Sequence, residues 1–315
     1  MISKRRMTLT IKILKSGLLT TIQDEGRKYF RRFGIPQSGA MDLYSLQLAN
    51  YLVNNPFHFP AFECTLYGGT FQFLNDSIIG ISGAPMSALL NKKHIELNQT
   101  HFVKKNDVLE LGFASAGCRT YLAIQGQIHL PKVFGSYSTY TLANIGGRIL
   151  QKNDEISWHN PTPTFQKRTI SEHFLPRFQN PTILRILKGP EFALLSEASQ
   201  HFLTTSTFTI HPQSDRMGIR LIPQNATLSH QLPALISSAT TVGTIQLPKE
   251  GNPIILMKDG QTTGGYPRIA QVVATDLNRL AQIPPNQKAR FRFIDLADAL
   301  DLLRHRQRLL QYLLY

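Results

Sequence analysis

Leu9-Thr10-Ile11-Lys12-Ile13 alternates apolar and polar side chains with a period of two. Successive side chains of an extended chain point to opposite faces, so this stretch predicts a strand with one dry and one wet face. Short runs of the same kind recur between turn residues along the whole chain. Ile78-Ile79-Gly80-Ile81 and residues 108–113 and 119–124 read as strands in the first half. Residues 183–187, 208–210, 219–222, 244–247, 254–257, 269–274 and 289–294 do so in the second. Strands at this spacing argue for sandwiches or barrels and against a doubly wound parallel sheet. The expected fold is mainly β with few helices.

Three stretches read as helices. Residues 42–53 place Met41, Tyr44, Leu48 and Leu52 along one face and stop at Asn54-Asn55-Pro56. Residues 276–281 form a short second. Residues 296–315 form a long third, with Leu296, Leu300, Leu303, Leu310 and Leu314 on one side and Arg304, Arg306 and Arg308 on the other. This C-terminal helix is expected to pack on its own barrel; a handle for a partner is the other reading.

The chain has 315 residues, more than one ordinary core accommodates. Residues 160–180 are rich in Pro, Thr, Lys and Arg and lack periodicity, as a connection does. The expected division is an N-terminal β domain over 8–160, a connecting segment over 161–180, a C-terminal β domain over 181–295 and a helical tail over 296–315.

Hydrophobic residues make up 42% and charged residues 17%, a globular composition. The net charge is +14. It is spread thinly, dense only at residues 3–6 and 304–308, and no aromatic-lined basic patch accompanies it. That pattern argues against nucleic acid and fits a docking face for an acidic partner protein better. The basic start at residues 1–6 resembles the front of a signal peptide, but Thr8, Thr10, Lys12 and Lys15 interrupt the apolar run that should follow, and Met7 is an alternative start. No run of about 18 apolar residues occurs, so no membrane span is expected. Cys64 and Cys118 sit in apolar, strand-like contexts and read as reduced core thiols of a cytoplasmic protein.

The common catalytic signatures are absent. Gly112 to Gly117 is followed by Cys118 and not by Lys, so it is no Walker A loop. There is no G-x-G-x-x-G after a strand, no H-E-x-x-H, no Cys-x-x-Cys and no G-x-S-x-G. The histidines are scattered, and no metal site is expected. What stands out instead are three polar, glycine-bearing loops. The first runs from Thr21-Ile22-Gln23-Asp24-Glu25-Gly26-Arg27 to Gly34-Ile35-Pro36-Gln37-Ser38-Gly39-Ala40-Met41-Asp42. It ends at a helix start, where free N–H groups favour an anion, and Ser38 reads either as a cap or as a group for a substrate carboxylate. The second, Gln213 to Arg220, carries Asp215-Arg216, either a structural ion pair or a fork for a carboxylate. The third is Lys258-Asp259-Gly260-Gln261-Thr262-Thr263-Gly264-Gly265-Tyr266-Pro267-Arg268. Its paired glycines permit close backbone approach to a ligand, and it carries more distinct polar groups than a turn requires.

These loops carry a resemblance. "TIQDEGR", "GIPQSGAMD" and "VNNP" are similar to the opening of the KipA / allophanate hydrolase subunit 2 / urea carboxylase carboxyltransferase family. "YLAIQGQI" and "GSYSTYTLANIGGRIL" resemble its middle. "SDRMGIRL", "GTIQLPKEGNPIILMKDGQTTGGYPRIAQV" and "DLNRLAQIPP" resemble its second half. The likeness runs over about residues 9–294. It departs at Gly260, where the family commonly carries Arg, and at Ser238 and Val242, where it commonly carries Glu and Pro.

The resemblance implies a pair of cyclophilin-like β-barrel domains. It implies one component of an ATP-hydrolysing 5-oxoprolinase, which opens 5-oxoproline to glutamate together with a KipI-like subunit and a LamB/YcsF-like subunit. ATP would be used by the complex. One alternative is carboxyl transfer to a urea-like or other small amide substrate; biotin would then arrive in trans, because no Met-Lys-Met attachment tripeptide is present. The other is a non-enzymatic regulator that binds a KipI-like kinase inhibitor. Both reactions act on a small carboxylate or amide substrate and need N–H donors where negative charge develops. Gly264, Gly265, Ser38 and Gly39 are the expected donors. Arg216 or Arg268 is expected to hold a substrate carboxylate, and Asp259 or Asp215 to act as base or to orient another group. Gln261, Thr262, Thr263 and Tyr266 complete the expected substrate-binding set.

Overall fold

The structure, a computed structural model, describes residues 8–159, 164–224, 228 and 235–313. The basic start at residues 1–6, Met7, residues 160–163 of the expected connection, Leu314 and Tyr315 lie outside them. The chain folds into two compact units. The first contains residues up to Arg27 together with Ser38–Pro176; the second contains Lys28–Gln37 together with Arg177–Tyr315. The first half of the chain thus lends a short segment to the second unit, which a division into consecutive domains does not anticipate.

In the first unit the stretch Thr8–Lys15 is a strand whose burial alternates as its sequence does. It lies within a seven-stranded sheet in the order Gln127–Ile128, Glu155–His159, Thr8–Lys15, Thr70–Phe73, Val108–Ala114, Met86–Leu90, Lys93–His94. A five-stranded sheet has the order Leu19–Gln23, Ala61–Thr65, Arg119–Ile124, Ser77–Gly83, Thr100–Val103. Leu9, Ile11, Ile13, Phe71 and Leu109 of the first sheet pack with Ile22, Phe62, Ile79, Ile81 and Leu122 of the second. Phe62 stands 5.3 Å from the Trp158 ring at the centre.

Helix α1 (Leu43–Leu52) covers the other face of the five-stranded sheet, through Leu46, Ala49, Ala61, Ile78, Tyr121 and Ala123. A sheet covered on both faces needs apolar residues at consecutive positions. Ser77–Gly83 and Arg119–Ile124 are accordingly buried at every residue. Gly80 is required by this packing: a Cβ there would come within 2.6 Å of Leu52 Cβ.

The second unit is a closed barrel in the order Thr182–Lys188, Arg268–Val272, Thr244–Gln246, Ile254–Leu256, Gly218–Pro223, Phe208–Ile210, Lys288–Phe293. Neighbours are antiparallel except Thr182–Lys188 with Lys288–Phe293, a parallel pair. Leu184, Ile186, Phe208, Ile219, Ile245, Ile255, Ile269 and Phe291 are all buried in this unit. Helix α2 (Glu197–Thr205), with Ser196 as its cap, was not expected from the sequence. Helix α3 (Leu277–Ala281) and helix α4 (Leu296–Tyr312) were.

The four α-helices among the described residues are thus few against many strands, and the chain is mainly β as expected. Helix α4 buries no residue completely. It turns Leu302, Leu303, Leu309 and Leu310 half-inward and anchors Arg306 on the carbonyls of Ala274 and Thr275. The expected apolar side is therefore displaced: Leu296 and Leu300 are 62% and 43% exposed, while Arg306 faces its own unit. Cys64 and Cys118 are buried thiols and are not joined in a disulfide. No helix among the described residues is long and apolar enough to cross a membrane.

Candidate functional site

In the second unit the loop after Ile254–Leu256 is held at its base by an ion pair. Arg216 Nε donates to Asp259 Oδ2 at 2.8 Å and Nη2 to Oδ1 at 3.3 Å. Both side chains are buried, at 6% and 2% exposure. Asp259 N donates to Arg216 O at 2.8 Å as well. Two motifs separated by 43 positions therefore meet through a fork of the kind that planar guanidinium groups favour. This changes the roles expected of both residues. Arg216 is occupied by a carboxylate of its own chain, and Asp259 is held where it fixes loop geometry.

Arg268 is likewise committed. Its backbone N and its Nε donate to Glu191 Oε2 at 2.8 and 3.0 Å, and Nη2 to Oε1 at 2.7 Å. These bonds hold the Glu191 carboxyl below its ordinary range. Asp215 is exposed, and its Oδ1 accepts from the N–H groups of Met217 and Gly218 at 2.8 and 3.1 Å, which shapes the turn. Both guanidinium groups are engaged by carboxylates of the chain, Arg216 by Asp259 and Arg268 by Glu191.

Beyond Asp259 the loop presents Gln261, Thr262, Thr263, Gly264, Gly265 and Tyr266 in sequence. Thr263–Gly264 pairs with Ser238–Ala239 in a two-stranded sheet. Gln261 Nε2 donates to Oε1 of the buried Gln246 at 3.2 Å. Gly264 lies so close to Gln246 that a Cβ would stand 2.6 Å from its Nε2. Thr262, Gly264 and Gly265 are half-buried, and Tyr266 is 48% exposed.

Arg31, Gln246 and Glu191 belong to this region but were not singled out by sequence reasoning. Arg31 starts the 3-10 turn Arg31–Phe33, which Gly34 closes in the left-handed region at φ 78. Its Nη2 donates to Thr240 O at 2.6 Å and to Gln261 O at 3.4 Å. Burial pushes its pKa down, and no carboxylate offsets that shift. The one available signal was the four cations in Arg27-Lys28-Tyr29-Phe30-Arg31-Arg32 against two acids, Asp24 and Glu25, before them.

Ser38 and Gly39 belong to the first unit. Ser38 does not cap helix α1. Asp42 does, with Oδ1 accepting from Ser45 N at 3.0 Å and Oδ2 from Ser45 Oγ at 2.6 Å. Ser38 is fully buried at φ 53, and its Oγ has no hydrogen-bond partner among the described residues. Gly39 at φ 94 passes so close to the Glu25–Gly26 peptide that a Cβ would sit 2.8 Å from it. Asp24 anchors the same region: its carboxylate accepts from Gly26 N and Tyr137 N at 2.8 Å, from Ser136 Oγ at 2.6 Å and from Ser138 Oγ. This joins "TIQDEGR" to "GSYSTYTLANIGGR".

The family described as carboxyltransferase domain, subdomain A and B, matches residues 33–293. The chain belongs to this family. Two relatives of the carboxyltransferase-domain chain are each named as a subunit of 5-oxoprolinase. That of Escherichia coli (strain K12) is 36% identical over 308 residues, 96% of this chain and 97% of the relative. That of Haemophilus influenzae is 36% identical over 297 residues, 93% of this chain and 94% of the relative. Among solved structures, the K. lactis urea amidolyase superposes with a TM-score of 0.89 at 29% identity, over 96% of this chain and 20% of that one.

Proposed function

We propose that this carboxyltransferase-domain chain is one of the subunits of a 5-oxoprolinase that hydrolyses ATP to open the lactam of 5-oxoproline to glutamate. It acts with a KipI-like and a LamB/YcsF-like subunit in the cytoplasm and is inactive without them. The observation that carries the reading is the 36% identity to the E. coli 5-oxoprolinase subunit over nearly the full length of both chains. The chemistry of the loop fits. Ring opening places negative charge on the lactam oxygen, and fixed N–H and hydroxyl donors stabilise it best when they need not reorganise. The backbone of Gly264 and Gly265, with Thr262, Thr263, Gln261 and Tyr266, supplies such donors. The Arg216–Asp259 pair keeps the loop in place, and Asp215 shapes the turn before Met217. ATP is used by the complex.

A second reading, carboxyl transfer with biotin delivered in trans, is favoured by the TM-score of 0.89 to the urea amidolyase. There, however, the matching region is 20% of a longer chain. Co-expression with the two partners followed by an assay for glutamate formed from 5-oxoproline and ATP tests the first reading. A stable complex that forms no glutamate, but carboxylates a urea-like substrate when given carboxybiotin on a carrier, replaces it with the second.

A further inference from the structure

Three arginines surround the 258–268 loop of the second unit, and their charges are not equivalent. Arg216 is neutralised by Asp259. Arg268 is neutralised by Glu191. Among the described residues the Arg31 guanidinium forms no ion pair and donates to carbonyl oxygens, those of Thr240 and Gln261. None of the residues outside the described set is Asp or Glu. A half-buried guanidinium without a counter-charge carries a desolvation cost, and an anion arriving from outside is one arrangement that offsets it.

The surroundings hold Arg31 ready for one. Thr240 is buried; its Oγ1 donates to Gln261 O at 2.8 Å and its N–H to Thr262 O at 3.0 Å. The two carbonyls that fix Arg31 Nη2 thus belong to residues already bonded to each other. Nε and Nη1 remain for a ligand, and Gln261 leads directly into the Thr262–Tyr266 donors. Carbonyl oxygens orient a guanidinium without cancelling its charge, which is what separates Arg31 from the other two.

We propose that Arg31 binds the carboxylate of the substrate and so selects a carboxylate-bearing lactam over a neutral amide. This rests on the oxoprolinase reading and deepens it: urea has no carboxylate for such a group, whereas 5-oxoproline has one. Charge-assisted hydrogen bonds of this kind govern affinity more than they govern the bond-breaking step.

The test uses the complex assembled with its partner subunits. R31Q is expected to raise the KM for 5-oxoproline about ten- to a hundredfold with a much smaller change in kcat, and R31K to recover part of the loss. 2-Pyrrolidinone, the same lactam without the carboxylate, is expected to be a poor substrate that R31Q worsens no further. An unchanged KM in R31Q, or an equal loss on 2-pyrrolidinone, overturns the assignment. If the wild-type complex forms no glutamate, the oxoprolinase reading fails, and calorimetric titration of the chain with 5-oxoproline decides Arg31 separately. Saturable binding that R31Q abolishes and R31K retains supports the anion site. Absent binding, or binding that R31Q leaves intact, removes it. Matching thermal unfolding of wild type, R31Q and R31K shows that each variant is folded.

Discussion

Arg216 and Asp259 form a buried two-point ion pair, Nε to Oδ2 at 2.8 Å, across 43 positions of sequence. The pair ties the turn before Gly218–Pro223 to the loop after Ile254–Leu256, and its burial decides what happens when it is broken. Removing one partner strands the other charge away from water. D259A is expected to lose about 3–5 kcal/mol of unfolding free energy, measured by urea denaturation. Replacing both partners by apolar residues, as in R216M/D259L, is expected to recover most of that loss. If the pair only positions the loop, the double variant regains some glutamate formation in the complex. If Asp259 moves a proton, stability returns and activity does not.

Glu191 gives a pH dependence of known sign. Hydrogen bonds from Arg268 lower its pKa in the folded state. A carboxyl shifted down stabilises the fold above its unfolded pKa of about 4.3 and loses that contribution as pH falls through the lower folded value. E191Q is expected to be less stable than wild type near neutral pH, and the difference to shrink below about pH 4. Thermal unfolding of both proteins across that range checks it. A gap that stays constant into acid would mean that the carboxylate charge plays no part.

The two cysteines should be chemically silent. Burial pushes the Cys64 thiol up to about 11, and it raises Cys118 in the same direction. The thiolate is the reactive form, so at about pH 8 both should resist a disulfide reagent in the native protein and react once it is unfolded. Colorimetric thiol titration with and without denaturant measures this. Rapid native labelling of either residue would contradict its burial.

Gly39 should tolerate no side chain. Its φ of 94 is strained for other residues, and an added Cβ would meet the Glu25–Gly26 peptide at 2.8 Å. G39A is expected to cost at least about 2 kcal/mol in chemical denaturation. G34A offers a control: φ is also positive there, but nothing lies within 4 Å of the added atom. The smaller loss expected at Gly34 separates strain from collision.

The strands with clear periodicity were legible in the sequence because burial on one face imposes alternation, as in Thr8–Lys15. Ser77–Gly83 and Arg119–Ile124 were legible for a different reason, as continuous apolar runs beneath helix α1. Thr21 to Gln23 were read as the start of a loop, yet they belong to the strand Leu19–Gln23, in which Thr20 to Gln23 are all buried, so no alternation marks it. Helix α2 escaped because only Ser199 and Leu203 of its residues are buried, too few to set up an apolar stripe; Ser196-Glu197 was its only clear start signal. At the site, the loop residues announced themselves by composition, but their partners did not. Glu191 lies 77 positions from Arg268, and nothing local to either residue links them. Arg31 was hidden for the same reason, since its carbonyl partners lie more than 200 positions further along the chain.

Because Lys28–Gln37 is encoded among first-unit residues yet folds with the barrel, the two modules are interleaved in the gene. A split after codon 176 would release a C-terminal fragment that lacks Arg31 and the turn that carries it. The N-terminal fragment would keep those residues with nothing to fold against. Exchange of the barrel between relatives therefore requires two coordinated segments, and a chimera made at a single crossover would inherit its guanidinium and its polar loop from different parents.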